Sequence, residues 1–230
     1  MNVALVTVGD EILSGDTINT NAAWLGQQLR EAGVTVERMT VVPDRIADIA
    51  RVVNEHHAEY DAVIVTGGVG PTPDDVTMEA VAAAFGTTLK PDEEVSEWLE
   101  DEKGYSNEDL TPRTTYIPAR AEMLPNPEGV APGCVIENAY VLPGVPTEMK
   151  AMFEVIADEF RGEPTYVETV STPEPESHLL DRIVQVQETF DVTVGSYPGE
   201  NVRLKIEGRD PETVSEAGAW LRERVELEES

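Results

Sequence analysis

The stretch 61-DAVIVTGGVGPTPDDVTMEAVAAAF-85 joins a run of β-branched residues to an alanine-rich segment through a turn crowded with glycine, proline and aspartate. A short apolar run followed by an amphipathic one reads as a strand feeding a helix. Thr72-Pro73-Asp74-Asp75 fits a capping box, with Thr at the N-cap and Pro at the first helical position. The expectation is therefore a strand over 61–66 and a helix over 73–85. That start signal leaves Asp74 and the Gly67-Gly68-x-Gly70 run unexplained. Glycines permit positive φ and close backbone approach, so their amides can surround an anion at a helix N-terminus. The spacing matches neither GxxxxGK[ST] nor GxGxxG.

Outward from this turn the same alternation repeats. Residues 2–8 read as a buried strand, 20–32 as a helix, 34–42 as a strand and 45–58 as a helix. An acidic helix is expected over 91–103, an irregular Pro- and Gly-rich stretch over 104–133, a strand over 134–143 and a helix from 144-GVPTEM-149 to about 160. Alternation of this kind implies an α/β fold of three layers, α/β/α, around a mostly parallel sheet. The pattern changes after Arg161-Gly162-Glu163-Pro164. Strand 165–171, helix 176–190, strands 191–197 and 201–208 and helix 211–228 form a small C-terminal α+β unit, βαββα. The chain thus divides into 1–162 and 163–230.

In an open parallel sheet, ligands bind outside the carboxyl ends of the strands. The turns 9-GDEILSGDTINTN-21, 43-PD-44, 67-GGVGPTPDD-75 and 143-PGVPTEM-149 leave those ends. They bring Asp10, Glu11, Asp16, Asn19, Asp44, Asp74, Asp75 and Glu148 to one edge. Taken singly, most of these have a structural reading: Asn19 or Thr20 as a helix cap, Asp44 as another, Glu148 in a first helical turn. Their convergence is the functional signal. Two carboxylates beside a phosphate require a divalent cation between them, and Mg²⁺ is commonly held by one or two carboxylates plus phosphate oxygens.

Composition narrows the class. The chain of 230 residues has 45 acidic against 16 basic residues, a net charge of −29, and four lysines. The acids are spread along the chain, as expected of a solvated surface suited to a salt-rich cytoplasm, where the Debye length falls to about 3 Å near 1 M salt. Nucleic acid is a poor partner for such a surface. The lone Cys134 excludes an internal disulfide and a cysteine-cluster metal site, and His56, His57 and His178 read as surface or structural residues. The first residues carry no signal-peptide pattern and no membrane-length apolar run occurs, so the expected location is the cytoplasm and no membrane partner is expected.

The segments 9-GDEILSGDTINTN-21, 66-TGGVGPTPDDVT-77, 125-PNPEGVAPG-133 and 142-LPGVPTEM-149 resemble, in this order, the N-terminal domain of the CinA family (competence/damage-inducible protein A). That domain belongs with the molybdopterin-binding MogA and MoaB proteins. The tail is similar to the small KH-type domain that follows it in CinA proteins, and with the sequence running to Ser230 the deamidase domain of many of them is expected to be missing. The resemblance implies metal-dependent cleavage of ADP-ribose to AMP and ribose 5-phosphate, or, as in the MogA-type relatives, molybdopterin binding in cofactor biosynthesis. A non-catalytic partner role is a third reading. The resemblance also implies a homo-oligomer, dimer or trimer, and a small nucleotide or pterin as ligand.

The family's functional aspartates match Asp44 and Asp75. The implied roles give the pyrophosphate to Gly67, Gly68 and Gly70 with Ser14 and Gly15, and the metal (Mg²⁺ or similar) to Asp74 and Asp75. Asp44 or Glu11 orients the attacking water, and Gly144, Pro146 and Glu148 receive the nucleoside or pterin. Gly9, Asn19, Thr66 and Thr72 complete the expected substrate-binding set. Where many CinA proteins carry a basic segment before the Ile-Pro, this chain has 111-TPRTT-115, with Arg113 as its cation.

Overall fold

The computed structural model describes residues 1–105 and 112–227, the side chains of 112 and 113 excepted. By internal contact the chain separates into two compact units, Met1–Gly162 and Glu163–Ser230.

The first unit runs β1 (Asn2–Val8), α1 (Asp10–Leu13), α2 (Thr20–Glu31), β2 (Thr35–Val42), α3 (Ile46–Glu59), β3 (Ala62–Thr66), α4 (Thr77–Ala84), β4 (Leu89–Pro91), α5 (Glu93–Asp101), β5 (Tyr116–Pro118), β6 (Glu122–Leu124), β7 (Gly133–Ile136), β8 (Ala139–Leu142) and α6 (Pro146–Ile156). Six strands form one sheet in the order β2-β1-β3-β8-β7-β6. The pairs β1/β2, β1/β3 and β3/β8 are parallel, and β7 adds antiparallel to β8 and β6 to β7. β4 and β5 form a separate antiparallel pair.

Strand periodicity explains the layers. In β3, Val63 and Val65 face one core while Ala62 and Ile64 face the other. The first core packs the sheet against Ile49, Val52 and Val53 of α3 and Ala80 and Val81 of α4. The second packs it against Leu25 and Leu29 of α2 and Met149, Met152 and Phe153 of α6. Every residue of β3 is buried, as expected for a central strand covered on both faces. The architecture is the three-layer α/β/α arrangement.

Several local expectations change. The stretch 104–133, expected to be irregular, contains β5 and β6, and β6 pairs with β7 at the edge of the main sheet because Met123 and Leu124 supply a short apolar run there. The run 134–143 is a hairpin, not one strand: Glu137 sits at φ 53° and turns the chain between β7 and β8. Asn138 fixes that turn, donating from Nδ2 to the carbonyls of His57 and Tyr60 while its Oδ1 meets His57 Nδ1 at 2.8 Å. Helix α4 begins at Thr77 rather than 73, and Val76 at its N-cap makes no side-chain cap. Asp75 instead bonds back to Thr72, closing a turn of its own before the helix begins. Helix α5 starts from Asp92, whose Oδ1 accepts from Val95 N–H at 3.1 Å, because Pro91 is already the last residue of β4.

The second unit contains β9 (Tyr166–Thr172), α7 (Leu180–Thr189), β10 (Thr193–Tyr197), β11 (Val202–Gly208) and α8 (Pro211–Arg222). Its sheet, β10-β11-β9, is antiparallel throughout. Val170, Leu204 and Ile206 of the sheet pack on Val186 of α7 and on Val214, Ala217 and Leu221 of α8. Asp210 caps α8 by accepting from Thr213 N–H at 2.8 Å. Arg182 and Glu174 form a partly buried ion pair at 2.5 Å that pulls the Glu174 carboxyl down to about 2.

Candidate functional site

Because β1, β2, β3 and β8 are parallel, the loops after Val8, Val42, Thr66 and Leu142 emerge at one edge. They surround a cleft of about 640 Å³, a size usual for small-ligand sites.

The floor is glycine backbone pressed against β1. Gly67 has φ 98°, and a Cβ there would strike the carbonyl oxygen of Val8. No L side chain fits either that conformation or that contact. Gly68 follows at φ 63°, where a Cβ would lie 2.5 Å from Thr77 Oγ1 and 3.4 Å from Asp44 Oδ1. The loop is tied down by Gly67 N–H to Leu142 O at 3.1 Å and Thr77 N–H to Gly68 O at 3.0 Å. The turn after β8 closes in so far that Gly144 stands against Gly67, a Cβ on it being 3.3 Å from Gly67 Cα.

Glu11, Asp44, Asp74, Asp75 and Glu148 all line the cleft, and among its described lining residues there is no Lys, Arg or His. Asp44 Oδ2 accepts from Asp10 N–H at 2.8 Å, so this carboxylate holds the short helix α1 and does not cap α3, whose N-cap is Arg45. Burial pushes the Asp44 carboxyl above its ordinary range. The Asp10 N–H bond opposes this, while the charges of Asp10, Glu11 and Asp74 add to the rise. Asp75 Oδ2 accepts from the backbone N–H of Thr72 at 3.0 Å and from its hydroxyl at 2.5 Å, and among the described residues no hydrogen bond falls on Oδ1. The nearby Thr72 hydroxyl and the backbone N–H of Asp74 itself favour the charged form of Asp74 and hold its carboxyl below its usual range.

Asn19 caps α2 by accepting from Ala22 N–H at 3.1 Å and donates to Thr7 Oγ1 at 3.0 Å, so its amide is committed to structure even though it lines the cleft. Gly9, Thr66, Gly70 and Pro146 also line it. Ser14, Gly15 and Thr72 do not, nor do Asp10 and Asp16. Ser14 donates to Glu11 O and, at 2.7 Å, to Asp16 Oδ2, and Gly15 at φ 80° ends α1 with its N–H on Ile12 O. Those bonds fold the segment onto itself and away from the cavity. Thr72 is used up by Asp75. The side chain of Arg113 lies outside the described residues.

Sequence reasoning passed over Asn21 and Asn126. Asn21 Nδ2 donates to Gly144 O at 2.7 Å and so sets the turn after β8. Asn126 is fully buried, and the loop it organises places Gly129, Val130 and Ala131 in the cleft wall. Its sequence signal was the segment 125-PNPEGVAPG-133, whose asparagine sits between two prolines where no regular element could use its amide.

Among the described residues no three His, Cys, Asp or Glu side chains come together as a ready-made metal cage. No helix among them is long and apolar enough to cross a membrane.

The sequence model of the family described as a probable molybdopterin binding domain matches residues 4–162. The chain belongs to that family. A second family model, the middle domain of FAD synthase, matches residues 164–229, the segment for which a KH-type domain was expected. A protein of Archaeoglobus fulgidus is 40% identical over 219 residues, covering 94% of this chain and 95% of its own. A CinA-like protein of Citrifermentans bemidjiense is 43% identical over 161 residues, which are 67% of this chain but 39% of that one. The crystal structure of CinA, a protein of unknown function from Thermoplasma acidophilum, has a TM-score of 0.64 and 35% identity, covering 69% of this chain and 97% of that chain. Family membership thus rests on the unit that carries the cleft.

Proposed function

We propose that this member of the molybdopterin-binding family is a metal-dependent nucleotide pyrophosphatase of the CinA type, splitting ADP-ribose or a similar dinucleotide pyrophosphate to AMP. The observation that carries the reading is the pairing of a glycine floor with a carboxylate-lined wall that contains no basic residue among the described ones. Backbone amides can bind phosphate oxygens, but acids around them repel a phosphate unless a cation comes with it. The residues fit such a cation when the phosphate brings part of its coordination shell. Asp74 and the oxygen of Asp75 not bonded to Thr72 would hold it, the phosphate supplying further oxygens. When bound, the metal offsets phosphate charge and polarises the phosphorus–oxygen bond.

The chain's own groups do the rest. Gly67, Gly68 and Gly70 hold the pyrophosphate. Asp44, whose carboxyl burial raises above its ordinary range, accepts a proton from the attacking water, with Glu11 beside it. Water adds to one phosphorus, the bridging P–O–P bond breaks, and AMP and ribose 5-phosphate leave. FAD is also a dinucleotide pyrophosphate, so the match of residues 164–229 to the middle domain of FAD synthase makes FAD a second substrate to try.

The alternative, molybdopterin binding without turnover, is favoured by the family description itself. It uses the same floor and the same cation. Chromatographic detection of AMP from ADP-ribose separates the two. Wild-type protein is expected to release AMP with Mg²⁺, Mn²⁺ or Co²⁺ and to stop on chelation, and Asp75→Asn is expected to stay folded and inactive. Undiminished turnover by Asp75→Asn would remove that residue from the mechanism.

A further inference from the structure

The two ends of the cleft differ in kind. The Gly67–Gly70 end presents backbone, whereas the far wall presents one oriented carboxylate, Glu148, in the first turn of α6. Asn126 orients it. This side chain is 0% exposed and makes four hydrogen bonds. Its Oδ1 accepts from Glu128 N–H at 3.2 Å and Gly129 N–H at 2.8 Å, and its Nδ2 donates to Ala131 O at 2.9 Å and Glu148 Oε2 at 2.7 Å. The two accepted bonds settle which end of the amide is oxygen, so an N–H must face Glu148. Gly129 makes the approach possible, since a Cβ there would strike Glu148 Oε2. Among the described residues, the hydrogen bond from Asn126 falls on Oε2 of Glu148 and none falls on Oε1.

The geometry points to Asn126 as a positioning residue that aims Glu148 at the uncharged head of the ligand, making the far end of the cleft selective for a pair of neighbouring hydrogen-bond donors. A carboxylate only accepts, so it repels phosphate and rewards N–H or O–H groups. Two ligand sources offer such a pair: a ribose diol, or an N–H/NH₂ edge of a ring such as guanine or a pterin. Together the two ends fix which way round a phosphorylated ligand lies. This inference rests on the phosphate-binding reading of the glycine floor.

Calorimetric titration, in high salt with Mg²⁺, tests it with inorganic pyrophosphate, ADP against 2′-deoxy-ADP, and GDP against IDP. Wild-type protein is expected to prefer the donor-bearing member of one pair by about tenfold or more, the size of a hydrogen bond to a charged group. A preference in the first pair identifies the diol and in the second the ring edge. The preference ratio should collapse toward one in Glu148→Gln and shrink in Asn126→Ala, whereas a merely structural role would weaken both members of a pair alike. If Asn126→Ala does not fold, Glu148→Gln alone decides. Equal affinities within both pairs, or an unchanged ratio in Glu148→Gln, would overturn the inference while pyrophosphate binding to wild type leaves the parent reading standing. Failure of wild type to bind pyrophosphate and all four nucleotides would overturn both.

Discussion

Replacing Gly67 with alanine tests the physical basis of the cleft floor. Two separate costs arise. A non-glycine residue at φ 98° carries a left-handed penalty of about 1–2 kcal/mol. The new Cβ also meets the Val8 carbonyl, which cannot retreat because β1 is held between β2 and β3. Overpacking against fixed structure adds about 1–3 kcal/mol, for a sum of about 2–5 kcal/mol. Gly86→Ala is the internal control: Gly86 has φ 61° just after α4, yet a Cβ there meets nothing within 4 Å, so only the first cost applies. Urea denaturation of the two variants should therefore separate them by about 1–3 kcal/mol, with Gly67→Ala the weaker. Calorimetry should show Gly67→Ala losing pyrophosphate affinity and Gly86→Ala keeping it. Equal stability of the two variants would refute the close approach of loop and strand, and full ligand affinity in Gly67→Ala would refute the floor as the binding surface.

Asp44→Asn should abolish turnover and yet gain stability at neutral pH. Folding raises the Asp44 pKa, so the wild-type contribution is fully present only below the unfolded value and is lost as pH rises through the folded one; the variant's advantage in denaturation midpoint should grow over that interval, and an advantage that shrinks with rising pH would contradict the assignment. Asn126→Ala removes a fully buried amide and strands several of its partners, for an expected loss of about 2–4 kcal/mol by urea denaturation; a loss below about 0.5 kcal/mol would mean the loop does not depend on it. Carbon-13 NMR should place the Glu174 titration near 2, with its ion pair to Arg182 intact above the ordinary carboxylate range and lost as pH falls through the lowered value; a midpoint near 4 would contradict the pairing. With a net charge of −29, the melting temperature should rise between about 0.1 and 1 M KCl as the Debye length shortens from about 10 to 3 Å, and a flat profile would argue against self-repulsion as a stability term.

The layers were legible because they are written in periods. Val63/Val65 against Ala62/Ile64 alternate between two cores, and helices with spaced apolar residues lie between the strands. The meeting of four turns at one edge followed from parallel pairing alone. Local punctuation was harder to read. Glu137-Asn138 lacks glycine, and its turn is secured by bonds from Asn138 to His57 and Tyr60, 81 and 78 residues away in sequence. Thr72-Pro73 carries the chemistry of a helix start, but one carboxylate oxygen of Asp75 takes both Thr72 donors before the helix begins at Thr77. Ser14 resembles a phosphate ligand in sequence, and only the fold reveals that Asp16 and the Glu11 carbonyl take its hydroxyl. Asn126 escaped notice for the opposite reason. Its role depends on Glu148, twenty-two residues on, which no local pattern connects to it.

An acid-walled glycine cleft that hydrolyses a pyrophosphate with the help of a divalent cation should turn over ADP-ribose only while the cation is present. Phosphorus-31 NMR of ADP-ribose incubated with the protein in high salt tests it most directly. With Mg²⁺ or Mn²⁺ the pyrophosphate resonances are expected to give way to equal amounts of AMP and ribose 5-phosphate, and chelation or Asp44→Asn is expected to stop the conversion. Unchanged pyrophosphate resonances with folded wild-type protein and every metal tried, or conversion that continues after chelation, would contradict it.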